Sequence, residues 1–332
     1  MDTELLRALL LFFASAALVI ISGIFLAKYG DILADLMGWG RLWVGTILLA
    51  VATSLPELVT NLTAVTQDNP ELAGGNILGA NMVNMFTLAA VGLAFGGPFF
   101  FRRISPEQRY LVGVALLLTG LAVLFAGITP GVSVGKVGLA SFLIPIVYLA
   151  GMRLVYVKRP TSRAVDVVIG SDTGLPRLRT AWLYFGGASV AVIGAAYTLA
   201  LRAGEISEIT GLSGGFVGVV AVALVTTMPE ASTTIAAVRF NAVDLAIGGL
   251  YGSCAFNILV LALVDPFYRG GVLLDDLGAA HMAAGIAALL LMTAGLIQIV
   301  LRGRFRFLPP RPWLVLMCAG YLLSLLVVEQ LE

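Results

Sequence analysis

The chain has 332 residues, of which 59% are hydrophobic and only 12% charged, against roughly 25% charged in soluble domains. With a mean hydropathy of +0.99, this composition excludes a soluble domain and marks an integral membrane protein, whose long apolar runs make it all-α. A formal net charge of +1 offers no basic surface to nucleic acid. No P-loop, dinucleotide or zinc motif occurs.

About 20 apolar residues are needed to cross a bilayer. Ten runs meet that length, at about 5–28, 40–67, 71–96, 108–128, 132–156, 180–201, 213–239, 242–264, 276–301 and 312–329. The first is too long for a signal peptide and lacks a basic leader, so it reads as a retained span. A short amphipathic piece is expected at 29–38, between the first two spans. The longest polar connection, 157–179, is too short for a soluble domain. Cys254 and Cys318 both lie in apolar runs, which argues against a disulfide framework.

The second and third spans hold the stretch around which the chain is organised, GTILLAVATSLPELVTNLTAVTQDNPELAGGNILGANMVN at 45–84. A glutamate inside a membrane-grade apolar run is costly and marks function by default. Pro56 precedes Glu57. With no amide hydrogen, and with a ring that crowds the carbonyl four residues back, it should free the Ala52 carbonyl.

The stretch occurs twice. A gapless shift of 173 residues lays Thr53, Pro56, Glu57, Thr60, Gly75, Gly79 and Asn84 on Thr226, Pro229, Glu230, Thr233, Gly248, Gly252 and Asn257. Ser54 falls on Thr227, which keeps the hydroxyl. Each half, 1–156 and 180–332, then holds five spans and one copy of the motif, 45–84 or 218–257. An odd number of spans makes the second half enter the membrane in the opposite sense, giving an inverted repeat. Sixteen of the 20 Lys and Arg residues fall on connections 1–2, 3–4, 5–6, 7–8 and 9–10, and Arg7, Lys136, Arg202 and Arg269 on the other side. The positive-inside rule therefore puts 157–179 in the cytoplasm and both termini outside.

Thr53 and Glu57 are four apart and share a helix face, with Ser54 at its edge; Thr226, Thr227 and Glu230 repeat the pattern. Asn84 follows Ala80 by four residues, and Asn257 follows Ser253 by four. Gly74, Gly75, Gly79, Gly248, Gly249 and Gly252 suit close helix approach and loosen the backbone where a helix could break. If the halves face each other, the two glutamates meet near the bilayer centre among hydroxyl, amide and backbone oxygens. Such a shell suits a hard cation, calcium or sodium, over metals that prefer His or Cys.

Each residue also has a structural reading. The glutamates could be neutral acids at proline kinks, and the hydroxyls could bond back to i−4 carbonyls. The asparagines could link helices, and His281 and Cys254 read as packing residues. Asn61-Leu62-Thr63 matches a glycosylation sequon, but inside a span it carries no meaning.

ATSLPELVTNL followed by GGNILGANMVNMF, repeated as VTTMPEASTTI and GGLYGSCAFNI, resembles the paired alpha-repeats of the cation/calcium antiporter superfamily. The likeness is greatest to the sodium/calcium exchanger family in its prokaryotic form, without a regulatory domain. It implies ten transmembrane helices in two inverted five-helix repeats with broken central helices. Between helices 2, 3, 7 and 8 it implies a site where Glu57 and Glu230 are the main calcium ligands. Thr53, Ser54, Thr226, Thr227 and Ser253, with the Ala50 and Ala223 carbonyls, would complete the calcium and sodium positions, and Asn84 and Asn257 the two amide or acid positions. The sequence departs from the family pattern in three places. The usual GTSLPE reads ATSLPE and VTTMPE, Ala80 replaces a common serine, and Asn257 stands where many members carry aspartate. Two acids remain, a count shared with proton-coupled calcium antiporters.

The expectation is an antiporter of a prokaryotic inner membrane, not an enzyme, which exports calcium in exchange for sodium and has no cofactor. Proton/calcium exchange is the alternative, and a cation channel the third reading.

Overall fold

The computed structural model describes residues 3–36, 53–95, 100–128, 133–158, 178–239, 243–301 and 310–331. Eleven helices run through them in chain order. They are α1 (Thr3–Leu36), α2 (Leu55–Thr66), α3 (Pro70–Phe95), α4 (Gln108–Ala126), α5 (Leu139–Lys158) and α6 (Leu178–Thr210), followed by α7 (Gly214–Thr226), α8 (Met228–Arg239), α9 (Val243–Val264), α10 (Ala279–Leu301) and α11 (Pro310–Leu331). The only strands among these residues are Ser133–Val134 and Val137–Gly138, a hairpin turned at Gly135 with φ +68°.

Eight helices are long and apolar enough to cross a membrane, or nine when α7 and α8 count as one span bent by 44°. The expected second span is described only from Thr53 onward; its first part, with the Ala50 and Ala52 carbonyls, lies outside the described residues, as does most of 157–179. The expected separate piece at 29–38 is not found. Helix α1 continues without a break to Leu36. At about 1.5 Å per residue its 34 residues span about 51 Å, well beyond a hydrocarbon core of about 30 Å. Its far end has a partner to lie on, since Tyr29 stacks on Tyr184 of α6 with centroids 4.8 Å apart. Helix α6 overruns its expected end at 201 in the same way, reaching Thr210.

The 173-residue shift governs the architecture as well as the motif. Adding 173 to the bounds of α2, 55–66, gives 228–239, the bounds of α8. The 3-10 turn Phe100–Arg103 maps in the same way onto Leu273–Asp276. Packing obeys the same exchange: α2 lies on α6 and α8 on α1, while α4 meets α9 as α10 meets α3. Helices α3 and α9 are buried along most of their length and form the centre, whereas α5 and α11 turn most of their apolar surface outward.

Asp244, at the start of α9, accepts hydrogen bonds from the Ser105 backbone N–H at 2.7 Å and the Ser105 hydroxyl at 2.6 Å, beyond the far end of α3. The equivalent helices α3 and α9 therefore run in opposite directions. The other end of α9 is fastened at Asp265, which accepts from the Gly138 N–H, the Ser141 hydroxyl and the Leu273 N–H. Both ends of the helix that carries Ser253 and Asn257 are thereby fixed.

In the second copy of the motif the helix breaks ahead of the glutamate, and in the first a helix begins at the matching position. Ser54 leaves helical geometry at φ −92° and ψ 10°, and Thr227 stands at φ −84° and ψ 0° between α7 and α8. Proline then falls within the first turn of α2 and α8, where a missing amide hydrogen costs nothing. A second irregularity precedes the break in α7, a π-helical turn over Gly218–Val222. The breaks do not fall at the glycines of α3 and α9, which are continuous. In α3 those glycines serve contact instead. A Cβ at Gly75 would strike the Gly215 carbonyl, and one at Gly79 would come within 2.7 Å of the Val219 Cα. Their counterparts in α9 meet no described residue so closely.

Candidate functional site

Glu57 and Glu230 each sit in the first turn of a helix, α2 and α8. The first turn carries unpaired N–H groups and the positive end of the helix dipole, which favours a carboxylate. Both side chains are buried, at 0% and 3% exposure, and they lie close enough for one charge to act on the other. Neither has a Lys or Arg partner among the described residues.

The halves supply each other's hydroxyls. Thr226 stands beside the Glu57 carboxylate and Thr53 beside that of Glu230, a pairing the 173-residue shift exchanges. The Ser54 hydroxyl donates to Glu230 Oε1 at 3.4 Å, and Ser253 donates to the same oxygen at 3.4 Å. Both Glu57 oxygens and Glu230 Oε2 are buried without a hydrogen-bond partner. Burying a charge without partners is prohibitive. These oxygens therefore call for either a proton or a cation.

All the described residues singled out in the sequence are buried: Thr53, Ser54, Glu57, Asn84, Thr226, Thr227, Ala223, Glu230, Ser253 and Asn257. They do not all point the same way. Thr227 donates to the Ala223 carbonyl at 2.8 Å, the back-bonding expected of a helical threonine. That carbonyl also accepts the Thr227 N–H at 3.1 Å. Asn84 keeps both amide atoms, and Asn257 its Oδ1, without a partner among the described residues.

Three polar residues at this centre were not apparent from the sequence. Asn76 accepts from the Thr226 hydroxyl at 3.2 Å, and Asn81 bonds to Asn257 and Thr119. The shift carries them onto Gly249, Cys254 and Met292, so a search for duplicated polar residues passes over all three. Their signal lies in spacing: Asn81 is three residues before Asn84, on the same side of α3. His281 and Cys254 are buried, and the His281 ring nitrogen Nε2 lies 2.8 Å from the Glu71 carbonyl.

Known proteins of this kind share the sequence and the fold. The sodium/calcium exchanger protein family matches residues 7–154 and 180–328. Inner membrane protein YrbG of Escherichia coli (strain K12) is 28% identical over 270 residues, covering 79% of this chain and 81% of its own. A structure of the sodium-calcium exchanger NCX_Mj superposes with a TM-score of 0.63 at 16% identity, covering 97% of this chain and 98% of that one. The H+/Ca2+ exchanger CAX gives a TM-score of 0.63 at 14% identity, with 98% and 91% covered. The chain belongs to the sodium/calcium exchanger protein family. It is a helical integral membrane antiporter and not an enzyme.

Proposed function

From that membership we propose that the chain is a secondary antiporter that exports calcium against an inward flow of sodium. It is built as ten spans in two inverted repeats, with helices 2 and 7 broken. One observation carries the reading: two buried glutamates, related by the repeat, keep three of four carboxylate oxygens without partners while facing hydroxyls from the opposite half. Glu57 and Glu230 neutralise a divalent ion. Thr53, Ser54, Thr226, Ser253, Asn84, Asn257 and the Ala50 carbonyl supply neutral oxygens toward the six to eight that calcium takes, and Thr227 and the Ala223 carbonyl, which bond to each other, join them when that bond opens. Sodium competes for part of the same set. The protein changes face only when the site is suitably filled, and the ions set that balance through their different affinities for the two states. The opposite directions of α3 and α9 support the inverted arrangement. The same reading puts the protein in the inner membrane of a prokaryote, with no cofactor and only ions as substrates.

A second reading has a specific observation behind it. With Asn257 in place of an acid, the described site holds two carboxylates, which two protons could neutralise as well as one calcium ion. CAX, an H+/Ca2+ exchanger, shares the fold. Calcium uptake into proteoliposomes, driven in turn by a sodium gradient and by a pH gradient with the other clamped, separates the two. Uptake is expected to follow sodium. Uptake that ignores sodium and follows pH would replace the first reading with the second, and calcium current without any counter-ion would indicate a channel.

A further inference from the structure

The two amides of the site are held differently, and the difference lies in residues outside it. Asn257 donates through Nδ2 to Asn81 Oδ1 at 3.0 Å. Asn81 donates through its own Nδ2 to the Cys254 carbonyl at 3.3 Å and to Thr119 Oγ1 at 3.5 Å. Thr119 in turn donates to Met292 Sδ at 4.0 Å. The Cys254 carbonyl can only accept, so it fixes which end of the Asn81 amide faces it. That turns Asn81 Oδ1 toward Asn257, and only the Nδ2 of Asn257 can answer it. The oxygen of Asn257 is left over, buried and unpartnered. Asn257 lies one turn along α9 from Ser253, on the side that meets Glu230.

The 173-residue shift maps Asn81 to Cys254, Thr119 to Met292 and Asn84 to Asn257. In the mirrored position, therefore, the Cys254 thiol takes the place of the Asn81 amide. It lies beside Asn84, and a thiol, both a weak donor and a weak acceptor, does not select one end of that amide as a carbonyl does.

We propose that Asn81 is a positioning residue, which with Thr119 and the Cys254 carbonyl locks the Asn257 amide so that its oxygen, not its nitrogen, faces the ions. The inference rests on the ion-site reading above. It makes position 257 a fixed neutral oxygen donor, whereas Asn84 has no amide beside it to select its orientation. It also makes the pocket complementary to asparagine at 257 and hostile to aspartate. A carboxylate there would meet Asn81 Oδ1, and an Asn81 flip to relieve this would set its oxygen against the Cys254 carbonyl.

The test is calcium uptake into proteoliposomes as a function of calcium concentration, with protein checked as a monodisperse, cooperatively unfolding species. A buried neutral hydrogen bond contributes roughly 1 kcal/mol. Asn81→Ala is thus expected to raise half-saturating calcium about fivefold while maximal uptake falls less than twofold. Asn257→Ala should raise it also, and the double variant should be no worse than Asn257→Ala alone. Asn257→Asp should be impaired, and adding Asn81→Ser, which removes the opposing oxygen and supplies a hydroxyl donor, should restore part of its uptake. If Asn81→Ala does not fold, Thr119→Val, which deletes one acceptor of Asn81, is expected to give about a twofold rise. Unchanged half-saturation, effects that simply multiply in the double variant, or no gain from Asn81→Ser would overturn the proposal. Glu57→Gln is run in parallel: if it transports normally, the ion site itself is wrong, and if it is inactive while Asn81 variants are silent, only this inference fails.

Discussion

At the scale of single residues the site is governed by electrostatics. Glu57 and Glu230 are buried with no basic partner described, and their neighbours are hydroxyls that stabilise a carboxylate only weakly. A proton or a cation satisfies such a pair. Removing one partner from a buried charge set costs roughly 3–5 kcal/mol. Glu57→Gln and Glu230→Gln keep the shape of the side chain, so each is expected to fold while calcium exchange falls by about a hundredfold or more. Near-normal uptake in either well-folded variant would remove that residue from the site. The glutamates, the hydroxyls at 53, 54, 226 and 227 and the paired asparagines were legible in the sequence because each occurs twice at a fixed offset, and each is costly in lipid. Asn76, Asn81 and Thr119 were not, because their counterparts are Gly249, Cys254 and Met292. A residue that breaks the repeat is invisible to reasoning based on the repeat.

At the scale of elements, proline placed the breaks and glycine misled. Both Pro56 and Pro229 lie just past the interruption, as a residue without an amide hydrogen should at a helix start. The glycines of α3 suggested a loosened helix but instead admit a neighbouring backbone, because Gly75 and Gly79 abut Gly215 and Val219 of α7. Hydropathy alone could not tell these uses apart, and it also cut α1 and α6 short. The tail of α6 is polar enough to leave the bilayer and holds an Arg202–Glu205 ion pair. Gly75→Ala should push α3 and α7 apart at a backbone contact that cannot rotate away. Overpacking of this kind costs roughly 1–3 kcal/mol. A fall in the thermal midpoint is expected for Gly75→Ala, while Gly113→Ala, with no described atom within 4 Å of the new carbon, should hold or gain. Equal midpoints for the two would show that the α3–α7 contact is looser than its geometry.

At the scale of the whole molecule, contacts between connections bear on topology without reference to charge. The turn before α4 meets the start of α9 through Ser105 and Asp244, so connections 3–4 and 7–8 share a side. Lys136, in the hairpin after α4, donates to the Arg269 carbonyl after α9, which joins connections 4–5 and 8–9. Asn69, before α3, lies against Gly214 at the start of α7, which joins connections 2–3 and 6–7. In a ten-span chain the first pair falls on one face and the other two on the opposite face. The distribution of Lys and Arg divides the connections in the same way and adds the direction: 16 of 20 basic residues fall on the face that includes connection 3–4. In that topology connection 157–179 would fall on the same face, so a cysteine at Ser171 should react with an impermeant maleimide only from the cytoplasmic side. A cysteine at Lys136 should react only from outside. The expected result is labelling of Lys136→Cys but not Ser171→Cys in intact cells, with the pattern reversed in inside-out vesicles. Labelling of Ser171→Cys in intact cells would invert the orientation. Labelling of both from one side would break the alternation itself, and with it the proposed inverted repeat in which Glu57 faces Glu230.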